Sequence, residues 1–225
     1  MEGKVFIIIP AFNEGKKIGE VVASIRQEGY ANLVVVDDGS KDKTAAVAAA
    51  RGAIVLRHMI NRGQGAALKT GIEYALQHGA DIIVTFDADG QHHPQDIQHM
   101  IAPVAQGKIA VTLGSRFLGH SEVPPIKRLI LKGGILFTRI FSSIWLTDVH
   151  NGFRAFSRRA AEQIRIKQDK MEHASEIIEE IVQKNIPFQE VPVTVTYTEY
   201  SKQRGQSPWN SLKIAFNLVW RKLTR

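Results

Sequence analysis

Short β-branched runs alternate with stretches of helical spacing along the first half of the chain. Lys4–Pro10 (KVFIIIP), Leu33–Asp37 (LVVVD), Ile54–Arg57 (IVLR), Asp81–Asp87 (DIIVTFD) and Ile109–Gly114 (IAVTLG) read as strands. Lys16–Glu28, Thr44–Arg51, Gly65–His78 and Pro94–Gln106, lying between them, read as helices. Strands apolar at almost every position are buried on both faces, the mark of a parallel sheet with helices packed above and below. Ligands of such sheets bind beyond the carboxyl ends of the strands. Three of those ends carry polar clusters: Asn13-Glu14, Asp37-Asp38-Gly39-Ser40 and Asp87-Ala88-Asp89-Gly90-Gln91.

The second half is less regular. Ser115–Leu146 contains Pro124-Pro125 and then a basic amphipathic stretch, and Asp148–Ser157 (DVHNGFRAFS) reads as a loop entering a strand. His173–Lys184 is helical, Pro187–Tyr197 alternates like an edge strand, Tyr200–Ser207 (YSKQRGQS) reads as a loop, and Ser211–Leu223 as a closing helix. No repeat, low-complexity tract or linker divides the 225 residues, so one domain is expected over residues 1–225.

Composition narrows the function classes. Hydrophobic content of 44% and charged content of 23% exclude a mainly disordered chain. Zero Cys excludes a disulfide scaffold, a zinc ribbon and a thiol nucleophile. The run Val5–Pro10 is too short for a secretory signal and no stretch of about 18 apolar residues occurs, so a cytoplasmic protein without a membrane span is expected. The net charge of +7 points to an anionic partner: nucleic acid, a phosphorylated small molecule or an acidic membrane surface.

Asp87-Ala88-Asp89 carries the most chemistry. Two carboxylates two residues apart at the end of a buried strand are costly without a counter-cation. Hard oxygen donors suit Mg²⁺ or Mn²⁺, which take one or two carboxylates and complete their shell with substrate phosphates. Gln91 offers a further oxygen nearby. The same tetrapeptide D-A-D-G is also good turn chemistry, so the motif alone leaves both readings open.

The segments IIIPAFNE, VVVDDGSKDKT, NRGQGAALKTG and FDADGQ, in that order and spacing, resemble the nucleotide-sugar glycosyltransferases of family 2, which have a GT-A fold. The later GSRF and DVHNGFR look like the branch containing dolichyl-phosphate and other polyprenyl-phosphate sugar synthases. The resemblance implies a mostly parallel central sheet flanked by helices, with amphipathic C-terminal elements. Residues 1–115 would bind the nucleotide sugar, and residues 116–225 would face acceptor and membrane.

Residue by residue, Pro10, Phe12 and Glu14 would border the nucleoside, Val36 would lie behind the base, and Asp38 would accept from base N–H groups, which suits uracil or guanine alike. Phe12 stands where many relatives have Tyr, so stacking survives without the hydroxyl. Ala88 would lie against the ribose, Asp89 and Gln91 would hold the metal, and Asp87 would orient the ribose or the sugar. Arg116 and Arg128 correspond to phosphate-binding arginines, whose planar forks grip two oxygens. Lys202 and Arg204 resemble a basic loop that closes over the diphosphate, although the order of cations and glycine departs from the family's pattern.

Other clusters carry bland readings beside sharp ones. Asp37 and Ser40 are also good turn-capping residues. Asn61-Arg62-Gly63-Gln64-Gly65 precedes a helix, where glycines either let N–H groups reach an anion or simply allow a tight turn. It matches neither a dinucleotide fingerprint nor a P-loop. His92-His93 lack metal-ligand spacing, and Glu172, His173 and Glu176 read more simply as a helix start than as a catalytic base.

A hydroxyl acceptor generally needs a general base. A phosphate monoester, with a second pKa near about 6, arrives already anionic. The expected reaction is therefore inverting, metal-dependent transfer from a UDP- or GDP-sugar to a polyprenyl phosphate. Transfer to a saccharide hydroxyl in polysaccharide assembly is the alternative; a sugar nucleotidyltransferase would need the N-terminal G-x-G-T-R signature that is absent, and a nucleic-acid module an aromatic RNA-binding motif or zinc finger.

Apolar stripes at Ile126, Leu129, Ile130, Phe137, Ile140, Phe141 and Ile144, and at Leu212, Ala215, Phe216, Val219 and Leu223, lie among basic residues such as Lys127, Arg128, Lys132, Arg139, Lys213 and Arg221. They suit the cytoplasmic surface of an anionic membrane, a small membrane-protein partner, or a second copy of the chain.

Overall fold

The computed structural model describes residues 3–125, 128–129, 131–135 and 144–197. Lys127, Arg139, Lys202, Arg204, the apolar positions 126, 130, 137, 140 and 141, and the helix expected over 211–223 lie outside the described residues.

Seven strands form one sheet in the order β3-β2-β1-β4-β6-β5-β7. They are β1 (Val5–Ala11), β2 (Asn32–Asp37), β3 (Ile54–Arg57), β4 (Ile82–Thr85), β5 (Val111–Ser115), β6 (Arg154–Ser157) and β7 (Phe188–Pro192). All pairings are parallel except those of β6, which runs antiparallel to both β4 and β5. The reversal has a functional consequence: the start of β6, at Arg154, stands at the same sheet edge as the ends of β4 and β5.

Alternation along the strands builds two cores. Phe6, Ile8, Val34 and Val36 face α3 (Gln64–Gln77), α5 (Arg158–Gln163) and α6 (His173–Gln183). Ile7, Ile9, Leu33 and Val35 face α1 (Ile18–Gln27), α2 (Thr44–Ala50) and α4 (Asp96–Ala105). Helix α3 lies very close to the sheet, because a Cβ added at Gly71 would stand 2.3 Å from Ile8 Cγ2.

Pro10 sits in a central strand without leaving a gap in the ladder. Ile8 faces β4, since its carbonyl accepts from Phe86 N, and Pro10 faces the same way. The β1–β4 register ends at the Ile8–Thr85 pair, so the missing N–H of Pro10 falls past the last ladder bond. The expected strand Asp81–Asp87 is correspondingly shorter, and Phe86 onward forms the loop that carries the acidic motif. Pro187–Tyr197 likewise divides into β7 and a strap that rejoins the acidic loop at a His92–Val195 bridge.

Candidate active site

The loops after β1 and β2 are laced together. Asn13, in the left-handed region at φ 54°, donates its N–H to Ser40 Oγ and accepts from Lys41 N through Oδ1. Glu14 N donates to Thr44 Oγ1, and Ser40 N to Asp37 Oδ1 at 3.0 Å, so Asp37 and Ser40 do serve the turn. Glu14 is buried and adds to the negative field at Asp89, whereas Phe12 is 41% exposed at the rim.

Asp38 is already heavily engaged. Its Oδ1 accepts from His58 Nδ1 at 2.7 Å and Arg62 N at 3.0 Å, and its Oδ2 from Gly63 N at 2.7 Å. A carboxylate has about four lone-pair positions, so roughly one remains for a base. Val36 is fully buried, with its side chain under α3 beside Gly71; expected behind the base, its side chain is instead core, because alternation puts it on the helix-covered face. Ala88 is also buried, packed with the α1 and α4 core rather than presented openly to a ribose.

The glycines of Asn61–Gly65 serve backbone packing. A Cβ at Gly63 would lie 2.4 Å from Asp169 O, and one at Gly65 would lie 2.0 Å from Gln168 O. Ala66 N donates to Asp169 O, so a loop carbonyl occupies the first turn of α3. Glu176 in turn accepts from Lys167 N and Gln168 N, which commits it to bracing that loop.

Asp87 and Asp89 titrate in opposite directions. Burial pushes Asp87 up, but the His92 hydrogen bond and the electrostatic pull of its surroundings, Arg116 included, outweigh it and hold the carboxyl below its ordinary value. Burial, reinforced by Asp87 and only partly offset by the Gln91 N–H, pushes Asp89 up to about 6. Among the described residues no cluster of three or more acidic, His or Cys side chains could hold a metal alone. The donor set still fits Mg²⁺ or Mn²⁺ bound largely through substrate phosphates, since a divalent cation relieves the charge crowding that raises Asp89. Gln91 is anchored beside it, its N–H on Asp89 Oδ1 and its carbonyl accepting from Thr196 N.

Arg116, at the end of β5, is 7% exposed. Its Nε donates to Asp148 Oδ2 at 2.6 Å and its Nη1 to Tyr197 Oη at 3.0 Å. Burial alone would lower its pKa, but Asp148 and Tyr197 prevail and raise it. Guanidinium carries five N–H donors, so donors remain for a phosphate. Glu190 braces the opposite side, accepting from Thr147 and Asp148 N–H groups. Arg128 lines an open groove of about 680 Å³ with Glu122, Val123, Pro124, Pro125, Leu129 and Lys132.

Arg154 and Gln64 were not singled out in the sequence, and His92 was weighed there only as a metal ligand. Arg154, 3% exposed, donates from Nη2 to Ala174 O at 3.2 Å. Burial lowers its pKa to about 10, against the pull of Asp87 and Asp148. Gln64 and His92 both donate to Asp87. The DVHNGFR motif was the available signal for Arg154; for Gln64 there was none, because its partner lies 23 residues away.

A mostly parallel sheet with an acidic loop at its carboxyl edge, a laced β1–β2 rim and a buried arginine beside it defines an α/β glycosyltransferase of the GT-A type. Consistent with this, the fold matches a mycobacterial structure, glucosyl-3-phosphoglycerate synthase from Mycobacterium tuberculosis in complex with Mn²⁺ and UDP-glucose, with a TM-score of 0.74 and 19% identity over 99% of this chain and 78% of that one. The model described as Glycosyl transferase family 2 matches residues 6–165, and the chain belongs to that family. It is 43% identical to an uncharacterized protein of Methanocaldococcus jannaschii, over 98% of this chain and 93% of that protein. It is 35% identical to the UDP-N-acetylglucosamine–dolichyl-phosphate N-acetylglucosaminyltransferase of Methanococcus voltae, over 97% of this chain and 96% of that enzyme.

Proposed function

We propose that this glycosyltransferase moves a sugar, with inversion, from a UDP- or GDP-sugar to a polyprenyl phosphate. The observation that carries the donor half is the Asp87–Asp89 pair on the loop after β4, where burial, with Asp87 and Glu14 alongside, pushes the Asp89 carboxyl up to about 6. Asp89 and Gln91 would hold Mg²⁺ or Mn²⁺, which would neutralise charge developing on the departing diphosphate. Asp87 orients donor hydroxyls, and the free N–H groups of Arg116 bind phosphate oxygen. The acceptor oxygen attacks the anomeric carbon as the bond to the diphosphate breaks, releasing the nucleoside diphosphate.

The acceptor half is supported by the Methanococcus voltae relative, whose name gives a dolichyl-phosphate acceptor. The groove along residues 122–132 suits such a molecule, with Val123, Pro124, Pro125 and Leu129 for a chain and Arg128 and Lys132 for a headgroup. A phosphate acceptor also needs no general base, in keeping with Glu176 being spent on the 167–168 backbone. No helix among the described residues is long and apolar enough to cross a membrane. Peripheral attachment at the cytoplasmic face, through Leu129 (74% exposed) and neighbouring cations, completes the proposal. Lys202 and Arg204 are proposed to meet the diphosphate; a small membrane protein or a second copy remains a candidate partner.

Asp89→Ala is expected to abolish transfer and the response to added Mn²⁺ or Mg²⁺. A fully active, chelator-insensitive variant would contradict the reading.

A further inference from the structure

Asp87 is held from three sides. Its Oδ1 accepts from Gln64 Nε2 at 3.1 Å and its Oδ2 from His92 Nε2 at 3.0 Å. On the third side, a Cβ at Gly152 would lie 2.7 and 2.9 Å from the two carboxylate oxygens, so the main chain passes where only glycine fits. Of about four lone-pair positions on the carboxylate, roughly two remain.

His92 is a costly choice if packing were its whole role. Its ring is 6% exposed, 5.5 Å from Phe86 and 5.1 Å from Phe153 between ring centres. Its Nδ1 is buried with no hydrogen-bond partner among the described residues. An aromatic hydrocarbon would fill the same slot with no orphaned nitrogen. The orphan also assigns the tautomer: hydrogen on Nδ1 would be a buried unsatisfied donor, so the hydrogen sits on Nε2 and points at Asp87.

We propose that His92 and Gln64 are positioning residues that, against the Gly152 backbone, lock the Asp87 carboxylate in one rotamer and aim its free lone pairs at hydroxyls of the sugar donor. Gln64 comes from the first residue of α3 and His92 from the far end of the acidic loop, so two separate elements fix one carboxylate. The inference rests on the glycosyltransferase reading, and the following experiment separates the two.

In the full chain, His92→Phe keeps the aromatic slot filled and removes the donor. His92→Gln places an amide N–H near the position of Nε2, and Gln64→Leu removes the second donor. His92→Phe is expected to melt at or above the parent's temperature while kcat falls about 10- to 100-fold, the scale of a misplaced reacting group. His92→Gln should recover most of that loss, and acceptor KM should change little in either variant. A His92→Phe enzyme within about two-fold of the parent's kcat, or one that His92→Gln fails to improve upon, overturns the proposal. If His92→Phe does not fold, Gln64→Leu decides by the same kcat criterion. A parent inactive with every nucleotide sugar would instead overturn the glycosyltransferase reading. The crystal structure of His92→Phe then decides the clamp: a turned Asp87 carboxylate supports it and an unmoved one refutes it.

Discussion

Asp87 and Asp89 are two residues apart, yet their environments drive them to opposite acidities. Asp87 faces hydrogen-bond donors and the field of Arg116, while Asp89 is desolvated beside Asp87 and Glu14. The raised pKa of Asp89 makes a signed prediction for stability. With a folded-state pKa near about 6 against an unfolded value of 3.8, the folded protein binds the proton more tightly, so ionised Asp89 destabilises the metal-free fold above that pH and the cost fades as pH falls. Asp89→Asn is therefore expected to raise the melting temperature of metal-free protein at roughly pH 7.5, with the gain shrinking towards about pH 5. A gain independent of pH would contradict that cause. The DxD motif was legible because its chemistry is local. The environments of Val36, Ala88 and Asp38 were not, since strand alternation and the His58–Gly63 loop decide which atoms remain available.

At the scale of elements, helix α3 is positioned by the absence of side chains. Alanine in a helix interior is normally better than glycine by about 1 kcal/mol. Gly71→Ala is nevertheless expected to destabilise by about 1–3 kcal/mol in urea unfolding, because its Cβ would press into Ile8 at 2.3 Å. An unchanged or raised midpoint would show that α3 can shift. The β5–β6 edge depends on charge: Asp148→Ala strands a buried Arg116 and is expected to cost about 3–5 kcal/mol, with transfer lost beyond the loss of folded protein. Stability and transfer rate both unaffected would remove Arg116 from the site. Strands β1 to β5 and helices α1 to α4 were readable from hydrophobic period alone, within two residues at their ends. The direction of β6 was not, because a four-residue strand, Arg154–Ser157, carries no local sign of which neighbour it will pair with.

Across the whole molecule, the acidic minority explains more than the net charge of +7. Asp87, Asp89 and Asp148 gather Gln64, His92 and Arg116 at one sheet edge, while Arg128 and Lys132 line a groove with an apolar wall. The proposed reaction would use both, joining a nucleotide sugar to a lipid-borne phosphate. The direct test is to incubate the protein with radiolabelled UDP- and GDP-sugars, Mn²⁺ and a polyprenyl phosphate, then extract with organic solvent. The account predicts label in the organic phase, released by mild acid and dependent on the lipid phosphate. Label appearing only in a water-soluble saccharide, with none extracted, would contradict it.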